Sequence, residues 1–182
     1  GPIVRRIEPS SATVWVAVRR SRRIRLEVYD GEGQGSLVVA SGERETLAVG
    51  ANIHIACITA KPGTPFAAGK TYQYNLTFDQ SAGSDDIPSG DLFSPRIVSA
   101  TNGEARTKLT YAGEGGPTRP SFVPPPTTLG DLRLLHGSCR KIAGEHSDAL
   151  EAADHILRAA FRGNGGRPHM LFLTGDNIYN DG

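Results

Sequence analysis

Between residues 12 and 78 one pattern recurs five times: ATVWVAV (12–18), IRLEVYD (24–30), SLVVAS (36–41), NIHIACITA (52–60) and KTYQYNLTF (70–78). Each segment is short, rich in β-branched or aromatic residues, and bounded by Gly, Pro, Ser or Asn, which is how strands joined by turns read in a sequence. In 24–30 the alternation puts Ile24, Leu26 and Val28 on one face of the pleat and Arg25, Glu27 and Tyr29 on the other, so one face is expected to be buried and the other wet. A run of such half-buried strands predicts an all-β sandwich, placed at residues 1–115.

The pattern changes twice further along. From about 80 to 130 the chain is dense in Gly, Pro, Ser and Thr, with RTKLTYA as one more candidate strand, and Pro124, Pro125 and Pro126 suggest a polyproline spacer or an ordered surface loop. Residues 116–130 are read as a Pro-rich linker. From 131 the apolar runs LRLLHGS and HMLFLT are near-continuous, as in strands buried on both faces, and a helical pattern lies between them. Asp148 and Glu151 have the spacing of a capping box, and Leu150, Ala153, Leu157, Ala160 and Phe161 form an apolar stripe. Gly163 to Gly166 end the helix and Pro168 prevents its resumption. This is the grammar of a βαβ unit, with two parallel strands joined by a right-handed crossover, over residues 131–182.

Bulk properties exclude several partners. Twenty Lys and Arg against 19 Asp and Glu give a net charge of +1, so no overall charge recruits nucleic acid or an anionic membrane. No apolar run reaches the length of a membrane helix. The Arg5–Arg6 pair is followed by a strand pattern and not by the apolar core of an export signal. Cys57 and Cys139, the two cysteines, are far apart in sequence and make neither a disulfide framework nor a paired-cysteine zinc site. The chain begins without methionine and stops just after a site-like motif, so a fragment is expected.

If the two runs pair in parallel, GSCR and GDNIY leave the sheet at the same edge, where ligands of open α/β sheets bind. Cys139 and Asp176 then converge, with Tyr179 on the same side if the chain turns helically. A thiolate, a carboxylate and a phenolate suit a hard trivalent cation such as Fe(III), which holds thiol and phenol ionised. The plainer readings are a packed cysteine, a helix-capping aspartate and a core tyrosine. A cysteine-phosphatase loop is absent, because Glu145 stands where C-x5-R needs arginine, and there is no G-x-S-x-G or P-loop.

HGSCRK and LFLTGDNIYND together resemble the PhoD-like (alkaline phosphatase D) metallophosphatases, and GPIVRRIEPSSATVWVAV resembles the fibronectin type III- or immunoglobulin-like region that precedes their catalytic domain. The resemblance implies a β-sandwich accessory domain followed by the first βαβ unit of a four-layer αββα metallophosphoesterase domain. It implies Cys139 and Tyr179 as ligands of an Fe(III)-like ion, with Asp176 bridging to a divalent ion, calcium in the best-known members. The implied reaction is hydrolysis of phosphate mono- or diesters by a metal-bound hydroxide, and export to the periplasm or cell surface is the corresponding localisation. The family's later GNH segment and further histidines have no counterpart here; His136, His146, His155 and His169 do not match them, and His155 and His169 read as helix-surface and strand-start residues. The fragment alone is therefore expected to be inactive. The alternative is a non-catalytic binding or adhesion module, with Arg19, Arg20, Arg22 and Arg23 meeting an anionic surface or simply forming a solvated hairpin tip.

Overall fold

The computed structural model describes residues 2–31, 37–79, 90–91, 119–138 and 150–176. Among these, the residues up to Asp91 together with Arg119–Pro124 belong to one compact unit, and those from Pro125 onward to a second.

The first unit is built of antiparallel strands: β1 (Ile3–Glu8), β2 (Ser11–Val18), β3 (Arg23–Asp30), β4 (Leu37–Glu45), β5 (Leu47–Gly50), β6 (Ile53–Pro62), β7 (Tyr72–Phe78), β8 (Gly90–Asp91) and β9 (Ser121–Phe122). They follow the order β1-β2-β6-β4-β3-β7-β8, with β5 on β6 and β9 on β7. The five expected segments correspond to β2, β3, β4, β6 and β7.

Besides the two-residue β8 and β9, two strands escape the alternation. β1 carries a bulge between Val4 and Arg6, which breaks the period of two at Arg5. β5 is four residues long and exposed throughout, so it has no buried face to leave a pattern. The expected strand RTKLTYA (106–112) lies outside the described residues.

The sheet curls at β4, which pairs with β3 along its length but with β6 only at Ala40–Pro62 and Ser41–Lys61. Gly42 makes the curl possible. A Cβ there would lie 2.1 Å from the Thr59 carbonyl oxygen, so any side chain would collide with the backbone of β6. The curl brings Ala12, Val14 and Val16 of β2 and Ala56, Ile58 and Ala60 of β6 into one core with Ile24, Leu26 and Val28 of β3 and Tyr74, Leu76 and Phe78 of β7. One end of that core is closed by aromatic rings: Phe66 lies edge-on to Tyr72 at 4.8 Å and to Phe122 at 5.7 Å, and Tyr72 stacks on Phe122 at 5.9 Å.

Part of the segment expected to be a linker belongs to this core. Ser121 and Phe122 pair with Gln73 and Tyr72 of β7, Phe122 and Val123 are buried, and Pro124 is among the fully buried residues. The outer face of β3 is covered at Tyr29, which was expected on the wet face, while Arg25 stays exposed. Gln73 is flanked by Tyr29 on β3 and Ser121 on β9, and Arg119 lays its guanidinium 4.0 Å over the Tyr29 ring. Gln73 is completely buried, and among the described residues neither atom of its amide has a hydrogen-bond partner.

The second unit contains a 3-10 turn (Leu129–Asp131), β10 (Leu134–Ser138), α1 (Leu150–Phe161) and β11 (Met170–Thr174). β10 and β11 are adjacent and parallel, with α1 between them in sequence, as the βαβ grammar requires. The helix ends in a Schellman motif: Gly163 takes φ +78°, its N–H donates to the Ala160 carbonyl at 3.1 Å, and the Asn164 N–H donates to the Ala159 carbonyl at 2.9 Å. Ala153, Leu157, Ala160 and Phe161 of the expected stripe are half-buried. The capping residue Asp148 lies outside the described residues. Among the described residues no helix is long and apolar enough to cross a membrane.

Candidate functional site at the carboxyl ends of the parallel strands

In register, Leu134 lies beside Met170, His136 beside Phe172 and Ser138 beside Thr174. Hydrogen-bonded neighbours are about 5 Å apart, and no strand lies between β10 and β11. The strand ends are level, and residues leaving β10 after Ser138 and β11 after Thr174 start from one edge. After Thr174 the chain passes through Gly175 at φ +71°, a left-handed conformation that glycine adopts without strain, and then reaches the exposed Asp176.

Of the three expected ligands Asp176 alone is described; Cys139 and Tyr179 lie outside the described residues. Among the described residues no group of three or more His, Cys, Asp or Glu could hold a metal ion.

Alternation divides the β10–β11 pair into two faces. Leu134, His136 and Ser138 share one with Met170, Phe172 and Thr174; Leu135 and Gly137 share the other with Leu171 and Leu173. The second face is apolar to its end. The first begins apolar and becomes polar at the carboxyl edge, where His136 Nε2 and Thr174 Oγ1 are 2.8 Å apart.

The other two described histidines of this unit have different surroundings. His155 is exposed on α1. His169 precedes β11 and extends the pairing backward: its N–H donates to the Arg133 carbonyl at 2.9 Å, and its Nδ1 accepts from the Arg133 N–H at 3.1 Å. Sequence reasoning passed over the His136–Thr174 contact, because pairing across a parallel register is invisible until the register is known.

The arginine-rich stretch of the first unit is used internally. Arg22 is 4% exposed, its guanidinium donates to the Asp79 carbonyl at 2.7 Å, and its N–H donates to the Thr46 hydroxyl at 2.9 Å. Arg23 pairs with Glu45 at 2.9 Å and Glu43 at 3.7 Å across β3 and β4. Arg22 is thus turned inward, whereas Arg23 is exposed and ion-paired across the two strands.

No protein-family model matches the chain, and searches of curated proteins and of solved structures return no match.

Proposed function

We propose that the chain is the amino-terminal portion of a PhoD-like binuclear metallophosphatase that hydrolyses phosphate mono- or diesters. Residues 1–115 would form a fibronectin type III-like sandwich, and residues 131–182 would open the catalytic αββα domain. The observation that carries this reading is the parallel, in-register pairing of β10 with β11, which ends both strands at one edge, at Ser138 and Thr174.

Exposure supports the catalytic half. Leu134, Phe172, Leu171 and Leu173 on the two faces are between 42% and 49% exposed, whereas parallel sheets are normally covered on both faces, so the pair has the character of the first strands of a larger α/β sheet. The core shared by β2, β6, β3 and β7 supports the sandwich.

In this reading Cys139, Asp176 and Tyr179 would hold an Fe(III)-like ion together with a divalent ion such as calcium. The exposed position of Asp176 just beyond β11 suits that role, because a carboxylate at the lip of the sheet can approach an ion without crossing the core. When bound, such ions supply Lewis acidity toward phosphoryl oxygens.

The test is metal analysis of the full-length protein together with turnover of p-nitrophenyl phosphate and bis-p-nitrophenyl phosphate. Iron and hydrolysis are expected, both lost in Cys139→Ser and Asp176→Asn. Iron-free, inactive full-length protein rejects the proposal, and retention of both metals in the variants rejects the ligand assignment.

A further inference from the structure

The ligand set carried by the proposed function is anionic, as is a phosphate ester. A thiolate, a carboxylate and a phenolate can organise cations, and hydrogen-bond donors at the carboxyl ends of β10 and β11 would add to the ions' hold on the non-bridging phosphoryl oxygens. Several features of the parallel pair bear on where such donors are found.

The register places Ser138 beside Thr174 at the last position of both strands, on the face that also carries His136. This is the one face of the pair that turns polar at the edge, the other ending in Gly137 and Leu173. His136 lies two residues further back, and its Nε2 reaches diagonally to the Thr174 hydroxyl at 2.8 Å, so the ring leans toward the edge. The contact is exposed, and an imidazole–hydroxyl pair in water adds little to stability. The pair's other basic groups, Arg133 and His169, are bonded to one another through backbone and ring at the amino ends, the far side from the edge. Among the described residues of β10 and β11, His136 is thus the basic side chain nearest the carboxyl edge.

Resting on the hydrolase reading above, we infer that His136, Thr174 and Ser138 form a phosphoryl-oxygen-binding subsite beside the metal ligands. The Ser138 and Thr174 hydroxyls each donate to a phosphoryl oxygen, and the His136 Nε2–H donates to the Thr174 oxygen, which turns the Thr174 hydrogen toward the ligand. Asp176, beyond the Gly175 turn, lies past the subsite along the same strand direction. The ligand class is a phosphate monoester, a phosphate diester or inorganic phosphate, all of which share the non-bridging oxygens that these donors recognise.

Two measurements test the subsite. In the metal-loaded full-length protein, His136→Leu and Thr174→Val are each expected to raise KM for bis-p-nitrophenyl phosphate and the inhibition constant of inorganic phosphate about tenfold, the worth of one strong hydrogen bond. Their kcat and metal content should stay close to wild type, and Thr174→Ser should restore both constants. In the 182-residue chain itself, inorganic phosphate titrated against the His136 ring resonances by NMR should shift them saturably, and Thr174→Val should weaken that response.

Active, metal-loaded variants with unchanged KM and phosphate inhibition overturn the subsite and leave the hydrolase reading intact. Thr174→Ser behaving like Thr174→Val overturns the role of the hydroxyl. A saturable shift of His136 in a full-length protein that hydrolyses nothing supports the subsite while rejecting the hydrolase reading, and absence of any shift counts against the subsite directly.

Discussion

Gly42 shows how one residue can decide whether the first unit closes. Its missing side chain is where the Thr59 carbonyl of β6 approaches β4, so Gly42→Ala sets a methyl against backbone that cannot move without parting the strands. The expected cost is about 3 kcal/mol or more, read as a fall in the urea midpoint with an unchanged m-value. Gly50, with nothing within 4 Å of a built Cβ, is the control, and Gly50→Ala should stay within about 0.5 kcal/mol of wild type. A normal midpoint for Gly42→Ala would mean that β4 and β6 do not approach as described. Gln73 makes the opposite prediction. Its amide is fully buried without partners among the described residues, so Gln73→Met removes two unpaired polar atoms and should be neutral or stabilising by about 1 kcal/mol in the same assay. A clear loss would show that the amide does have partners in solution. Lys70 titrates in the other direction from a carboxylate: the hydrogen bond that its ammonium donates to Asp30 raises its pKa above the ordinary 10.5. The pair's contribution is therefore complete below the ordinary lysine range and is lost as pH rises through the raised value. The thermal midpoints of wild type and Lys70→Met should differ slightly at pH 8 and converge at strongly alkaline pH, the difference being small because both side chains are solvated.

At the scale of elements, alternation was legible wherever a strand has one buried and one exposed face. β2, β3 and β6 bury every second residue, and their segments stand out in the sequence. β7 is nearly all buried and pairs at its edge with β9; its sequence announces a strand but not the second covered face. β1 was obscured by its bulge and β5 by its exposure. The βαβ order of the second unit was readable from two continuous apolar runs around a helical stripe, and β10 and β11 do pair in parallel. Their immediate adjacency was not readable, since the same sequence allows another strand between them. Buried and exposed elements should differ in hydrogen exchange. Amides of β3 and β7, which surround Leu26 and Leu76, should be the slowest to exchange, and those of β11, exposed at every position, should exchange orders of magnitude faster. Equal protection would show that β11 is covered in solution.

For the whole molecule, the two units differ in how completely they bury what they carry. The first has a continuous buried core, although Ile3, Leu37, Val38, Leu47, Val49 and Ile53 are between 48% and 77% exposed, whereas β10 and β11 bury no residue and leave Leu134, Met170, Leu171, Phe172 and Leu173 between 39% and 49% exposed. A hydrophobic dye should therefore bind the 182-residue chain, and Leu171→Ser with Phe172→Ser should reduce the dye signal without lowering the denaturation midpoint of the first unit. Unchanged dye binding would place the exposed apolar surface elsewhere. The sequence by itself determined what depends on local period and residue chemistry: which segments are strands, where the helix stops, the change from antiparallel to βαβ grammar, and the candidate donors Cys139, Asp176 and Tyr179. Only the tertiary structure decided what depends on approach between distant segments. It turned Arg22 inward to Asp79, laid Arg119 over Tyr29, required glycine at position 42, and set His136 against Thr174. The physical reason is that periodicity records which side of an element faces away from water, whereas register and the curl of a sheet decide which residues meet there.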